Sequence, residues 1–159
     1  MERIYNSKTC TQFNKYKFSY MKNSGFSKKI GVVVNLIRHI PELTYKTTEE
    51  EIRERIEGKD HEFIIVKDGV NPAGFLIAYA LDEETYYNWI MGVLSDFRDK
   101  GYGRQLIELF ELKAMQKGYL EVSVKTMEKF PAMKYLLEKM KYEETGFDKD
   151  GKIILRKNL

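Results

Sequence analysis

Cysteine is almost absent from this sequence. Cys10 stands alone among 159 residues, so no intrachain disulfide can form and no cysteine zinc cluster exists. Both facts suit a reducing, cytoplasmic setting, and no metal is expected. Long apolar runs are missing too. None approaches the roughly 18 residues that span a bilayer, and the opening MERIYNSKTC is polar where a signal peptide carries its apolar core, so no membrane partner is expected. A large charge of either sign is also lacking: the net charge is +3. It is unevenly spread, with eight Lys/Arg against one acid, Glu2, over residues 1–40 and a net −4 over the remainder. A basic segment can bind nucleic acid, but here it is interleaved with Tyr5, Phe13, Tyr16, Phe18, Tyr20 and Phe26, which read equally well as packing residues. The excess is too modest to make nucleic acid the leading partner, and no stacking motif supports that reading.

There is no internal repeat, low-complexity tract or dividing linker. A single domain over residues 14–159 is expected, with 1–13, which shows no clear period, as a mobile N-terminal arm. With 43% hydrophobic and 13% aromatic residues, the chain can bury a real core. Alternation predicts a strand over Asn14–Lys22, with Tyr16, Phe18 and Tyr20 on one face. A helix follows over Ser27–Ile40, with Ile30, Val33, Val34, Ile37 and Ile40 on one side and Pro41 as its stop. TTEEEIRERIEG predicts a second helix over Thr47–Glu57 with two overlapping capping boxes, Thr47 with Glu50 and Thr48 with Glu51. Strands are expected over Glu62–Val66, Ala73–Leu81 and Thr85–Leu94, the first two joined through the turn-rich KDGVNP. A helix over Gly103–Lys117 turns Leu106, Ile107, Phe110 and Ala114 inward. A strand over Tyr119–Thr126, a helix over Phe130–Met140 entered through Pro131, and two strands, Tyr142–Phe147 and Lys152–Arg156, joined by DKDG complete the chain. The order β-α-α-β-β-β-α-β-α-β-β predicts an α/β (α+β) fold: a mixed, mostly antiparallel central sheet flanked by helices, with a parallel pair across the Gly103 helix.

The chemistry-bearing stretch is SDFRDKGYGRQLIELF, Ser95–Phe110. Between a strand and a helix it places two glycines and three cations, Arg98, Lys100 and Arg104, within seven positions. A helix N-terminus offers unpaired amides and a partial positive charge, and glycines let the backbone close around an anion. The physical reading is a pyrophosphate site. The Walker pattern fails, because Gly103 is followed by Arg104-Gln105. The dinucleotide pattern fails as well, because Leu106 stands where its third glycine belongs.

Arg98-Asp99-Lys100-Gly101-Tyr102-Gly103 resembles the R-x-x-G-x-G loop of the GNAT acyl-CoA N-acyltransferase superfamily, and Val93-Leu94-Ser95 resembles the end of the strand that precedes it there. The resemblance covers roughly residues 14–157; its specific part runs from about Ile90 to Leu106. It implies an N-acetyltransferase that moves an acetyl group from acetyl-CoA to a primary amine by direct attack in a ternary complex. It further implies that the amides of Arg98, Asp99, Lys100, Gly101, Tyr102 and Gly103, with Arg104 at the helix start, hold the CoA pyrophosphate. The pantetheine arm then pairs with the main chain of Met91, Gly92 and Val93, where an N–H can stabilise the thioester oxyanion. The acceptor is a small-molecule or peptide amine, and homodimers are frequent in the family.

The proton-transfer residues depart from the family pattern. The position of the base falls on Tyr87, with Glu83 and Glu84 nearby; Tyr87 and Trp89 share a strand face beside the expected acceptor cleft, and His39 and Tyr45 fall in a region that often borders it. The family's acid is a tyrosine in a pattern like L-Y-x-K-x-G-F, but here Leu137 takes the tyrosine position and Lys141 the glycine position. The acid then falls to Tyr135 or to water. Tyr87, Glu84 and Tyr135 are therefore the catalytic candidates. The alternative is a GNAT-like protein that binds or senses acyl-CoA without turnover.

Overall fold

The computed structural model describes residues 19–21 and 24–159. The expected arm over 1–13, and most of the expected strand over 14–22, lie outside the described residues; of that strand, Ser19–Tyr20 is described, as β1. Then follow α1 (Phe26–His39), α2 (Glu49–Ile56), β2 (His61–Asp68), β3 (Asn71–Ala80), β4 (Thr85–Val93), a single 3-10 turn (Ser95–Phe97), α3 (Tyr102–Lys117), β5 (Glu121–Thr126), α4 (Pro131–Lys139), β6 (Glu143–Phe147) and β7 (Ile153–Asn158). The seven strands form one sheet in the order β1-β2-β3-β4-β5-β7-β6. Every neighbouring pair is antiparallel except β4–β5, which is parallel across α3. The expected order, mixed sheet and helical crossover are all found.

Each face of the sheet has its own core. On one face α3 and α4 bury Leu106, Ile107, Phe110, Ala114 and Leu137 against Ile64, Val66, Leu76, Tyr86 and Val122. On the other, α1 and α2 bury Ile30, Val33, Leu36, Ile37, Ile52 and Ile56 against Phe63, Ile65, Phe75 and Ile77. Successive strand residues point to opposite faces, so the near-continuous apolar runs of β2 and β3 feed both cores at once. Val32-Val33-Val34 is β-branched yet helical, because burial along the Ile30–Val33–Ile37 stripe outweighs a propensity cost of about half a kcal/mol per residue.

One of the two capping boxes is not formed. Thr48 alone is the N-cap of α2: its hydroxyl accepts from the Glu51 amide at 3.2 Å, and its amide donates to the Glu51 carboxylate at 2.7 Å. Thr47 is buried and cannot serve the same helix end. Among the described residues no helix is long and apolar enough to cross a membrane.

Candidate active site

Strand β4 carries an irregularity that decides the shape of the site. Ile77 of β3 pairs with Ile90 and Ala78 pairs with Asn88, which leaves Trp89 as an extra residue. Trp89 and Ile90 consequently both lean on the α1/α2 core, while Met91 and Val93 return to the α3/α4 core. A bulge of this kind bends the strand and sharpens its twist. The effect is seen on the β5 side. The parallel ladder runs from Thr85↔Glu121 to Asn88↔Val124 and ends there. Both strands continue, β4 against β3 as far as Gly74↔Val93 and β5 against β7 as far as Thr126↔Ile153. Past Asn88 they part, leaving a wedge-shaped fissure walled by the main chain of β4. The first four residues of β4 are buried and the last five are partly exposed. Asn88 closes the apex, buried, with its amide nitrogen 3.2 Å from the Met91 sulfur.

The open end of the fissure leads to the loop before α3. Asp99 has φ 59° and Gly101 φ 85°. Two left-handed residues separated by one curl the chain into a concave row of amides, a shape that receives anions. Aspartate tolerates the left-handed region; at Gly101 any other side chain is strained. Gly101 is also the N-cap of α3, and no side chain caps that helix. Its Gln105 amide bonds the Gly101 carbonyl at 3.1 Å, and the amides ahead of Gln105 have no acceptor within the helix. In α2 that place is closed by the Thr48 side chain; in α3, as in α1 and α4, the N-cap residue offers no side-chain bond.

The three cations of the loop do not converge on this cradle. The Arg98 guanidinium forms a two-pronged pair with Glu42, both distances 2.6 Å, and its Nε reaches the Val93 carbonyl at 3.4 Å. Lys100 pairs with Asp68 at 3.6 Å and Arg104 with Glu108 at 2.9 Å. The attraction for an anion therefore rests chiefly on backbone amides and the helix dipole, with Arg98 serving as a strut between the end of β4 and the segment after α1. Its hydrogen bond holds the Glu42 carboxyl below the ordinary glutamate range and raises the guanidinium further.

The family model of the Acetyltransferase (GNAT) family matches residues 32–142. The chain belongs to the GNAT acetyltransferase family. Solved structures agree on the fold. Ard1 from Thermoplasma volcanium superposes with a TM-score of 0.76 at 15% identity, covering 91% of this chain and 99% of that one. The PaiA N-acetyltransferase of Thermoplasma acidophilum, solved in complex with coenzyme A, gives 0.74 at 15% identity, with 91% and 100% covered. A GNAT family acetyltransferase from Elizabethkingia anophelis with acetyl-CoA bound gives 0.70 at 19% identity, again with 91% and 100% covered. No curated protein matches the chain by sequence.

Within this GNAT fold the expected site residues fall into two groups. Met91, Gly92 and Val93 form the β4 wall of the fissure, and Arg98, Asp99, Lys100, Gly101, Tyr102, Gly103 and Arg104 lie at its open end, so these are brought together. The catalytic candidates are dispersed. Tyr87 lies just before the bulge, opposite Ser123 of β5 and edge-on to Tyr79 at 5.4 Å. Burial, the largest cause, pushes its phenol far above the ordinary value, which favours the protonated form. Glu84 sits in the turn before β4, exposed, with its carbonyl taken by the Leu120 and Glu121 amides. That turn is a full strand length, about 30 Å, from the loop. Glu83 shares it. Tyr135 projects from α4 at 61% exposure, with the Lys139 ammonium 5.2 Å from its ring. Leu137, at the family's tyrosine position, is fully buried. His39 bonds the Asn35 carbonyl of its own helix at 2.8 Å, and Tyr45 donates to Glu51.

Two contributors escaped the sequence reading. Glu42 anchors Arg98 across 56 positions, and nothing local marks it. Ile40 packs on Gly92: a Cβ there would stand 2.7 Å from the Ile40 Cδ1. Gly92 therefore lets the end of α1 close over β4, a close approach for which a lone strand glycine is the one sequence signal.

Proposed function

We propose that the protein is an acetyl-CoA-dependent N-acetyltransferase that acetylates a primary amine by direct transfer. The observation that carries this reading is the fissure between β4 and β5, opening onto the uncapped N-terminus of α3. The residues fit the cosubstrate. A curled row of amides at Asp99–Gly103 suits a pyrophosphate, and the one-sided main chain of Met91–Val93 suits the amide groups of a pantetheine arm, much as an added strand would. The bound CoA and acetyl-CoA of the PaiA and Elizabethkingia proteins support the same ligand class.

Acetyl-CoA supplies an activated acyl thioester. The chain's own residues orient it and prepare the attack. An amide of the Met91–Val93 wall donates to the thioester oxygen, where negative charge develops. Ile40 over Gly92 and the buried Asn88 at the apex keep bulk water from the inner end. The amine enters from the α1/α2 side, where Trp89 and Ile90 are only partly covered; its nitrogen attacks the thioester carbonyl, the C–S bond breaks to release coenzyme A as a thiolate, and water at the mouth of the fissure takes the amine proton and protonates the thiolate. Direct transfer predicts thiol release that requires an amine and gives intersecting double-reciprocal lines when both substrates are varied. Parallel lines, the mark of an acetyl-enzyme, would contradict it.

A further inference from the structure

Helix α2 presents Ile52 and Ile56 to the core; Arg55 falls on the same side at i+3 from Ile52, and Lys59 follows the helix, past the left-handed Gly58. Both cations lie over aromatic rings of the sheet. The Arg55 guanidinium stands 5.0 Å from the centre of Trp89, the bulge residue, and the Lys59 ammonium 4.6 Å from Tyr79. Lys125 of β5 stands 5.9 Å from Tyr87. The three rings touch, Tyr79 with Tyr87 at 5.4 Å and with Trp89 at 6.2 Å. An aromatic strip roofed by cations thus lies on the α1/α2 face of the sheet and ends at Trp89, the first residue past the apex of the fissure.

The cations differ in what else holds them. Lys125 pairs with Asp148 at 3.2 Å. Lys59 donates to the Arg55 carbonyl at 2.7 Å. Arg53, two positions earlier in α2, pairs with Glu49 at 2.7 Å. The carboxylate four positions before Arg55, Glu51, is taken by Tyr45 and Thr48. Among the described residues no carboxylate comes within 4 Å of Arg55, which is exposed. A guanidinium held over an indole still has N–H groups for a ligand, and these match a carboxylate or phosphate in two-pronged fashion.

We propose that the acceptor amine bears an oxyanion group, a carboxylate or a phosphate, and that Arg55 on Trp89 selects it. The inference rests on the transferase reading above and names its substrate class. Trp89 adjoins Ile90 and Met91, where the β4 wall begins, so an anion on Arg55 sets an amine a few bonds away beside the expected thioester position. The acids of α2 that face outward, Glu50, Glu54 and Glu57, are exposed and leave this fork unpaired.

The test uses matched amines: alanyl-glycine against alanyl-glycinamide, O-phosphoethanolamine against ethanolamine, and spermidine as a cationic control. Thiol release from acetyl-CoA is followed for the wild type, Arg55→Gln and Arg55→Lys, with acetyl-CoA affinity measured beside it. The expected result is a kcat/KM about tenfold or more higher for the acidic member of at least one pair. Arg55→Gln removes that preference through KM while acetyl-CoA affinity stays unchanged, and Arg55→Lys restores part of it. The pair that responds tells carboxylate from phosphate. Turnover favouring the neutral amines or spermidine, or a preference that survives in Arg55→Gln, overturns this inference and leaves the transferase reading standing. Failure of the folded protein to bind acetyl-CoA overturns the transferase reading itself, and bound acetyl-CoA with no turnover of any amine overturns both.

Discussion

Two glycines lie side by side where β3 meets β4, and each is required for a different reason. A Cβ on Gly74 would stand 2.8 Å from the Gly92 carbonyl oxygen, a backbone atom locked in the sheet. A Cβ on Gly92 would meet the terminal methyl of Ile40, which can turn aside. Overpacking a well-formed core costs about 1–3 kcal/mol, so Gly74→Ala belongs at the upper end of that range and Gly92→Ala at the lower. Urea unfolding of both variants checks the order; a larger loss for Gly92→Ala would show that Ile40 is held more rigidly than the strand itself. At the same scale, Tyr87 shows how burial bears on chemistry: apolar packing around the phenol that counting from the loop would make a base favours its protonated form.

Between elements, the Arg98–Glu42 pair ties the loop before α3 to the segment after α1. Because the pair lowers the Glu42 pKa, its contribution is present above the ordinary glutamate value of about 4.3. It is lost as the pH falls through the lowered folded-state value. Both side chains are substantially exposed, so the effect is modest. Glu42→Gln is expected to weaken acetyl-CoA binding about two- to fivefold at pH 7, with the gap to wild type narrowing only once the pH falls below the ordinary glutamate value. A gap that does not change with pH would remove Glu42 as the loop's anchor. Neither this pair nor the bulge was legible in the sequence, and for one reason. Side chains 56 positions apart meet through the global fold, and Trp89 becomes an extra residue only when β4 is laid against β3; in the run Trp89-Ile90-Met91 nothing distinguishes it from its neighbours. The helices were legible because their periodicity is local, as in Leu106, Ile107, Phe110 and Ala114, all fully buried. Helix starts were nearly so: Thr48 and Thr47 offer the same chemistry one residue apart, and only packing chooses between them.

At the scale of the whole molecule, the sheet is antiparallel except where α3 crosses between β4 and β5, and that one parallel pair is where it opens. The bulge parts the strands, the crossover places a helix N-terminus at the open end, and the glycine loop leaves that terminus uncapped. The order of elements and the R-x-x-G-x-G loop were sufficient to expect this architecture and the cosubstrate. They were silent on the acceptor side, because the aromatic strip under Arg55 is assembled from α2, β3, β4 and β5 together. The most direct test of the account is a calorimetric titration of the folded protein with acetyl-CoA, beside desulfo-CoA and ATP, repeated on Gly101→Asp. Micromolar binding of both CoA compounds is expected, with much weaker binding of ATP and loss of CoA binding in a folded Gly101→Asp, whose carboxylate and strained left-handed backbone spoil the cradle. No CoA binding by the wild type, or an unchanged affinity in the variant, would contradict it.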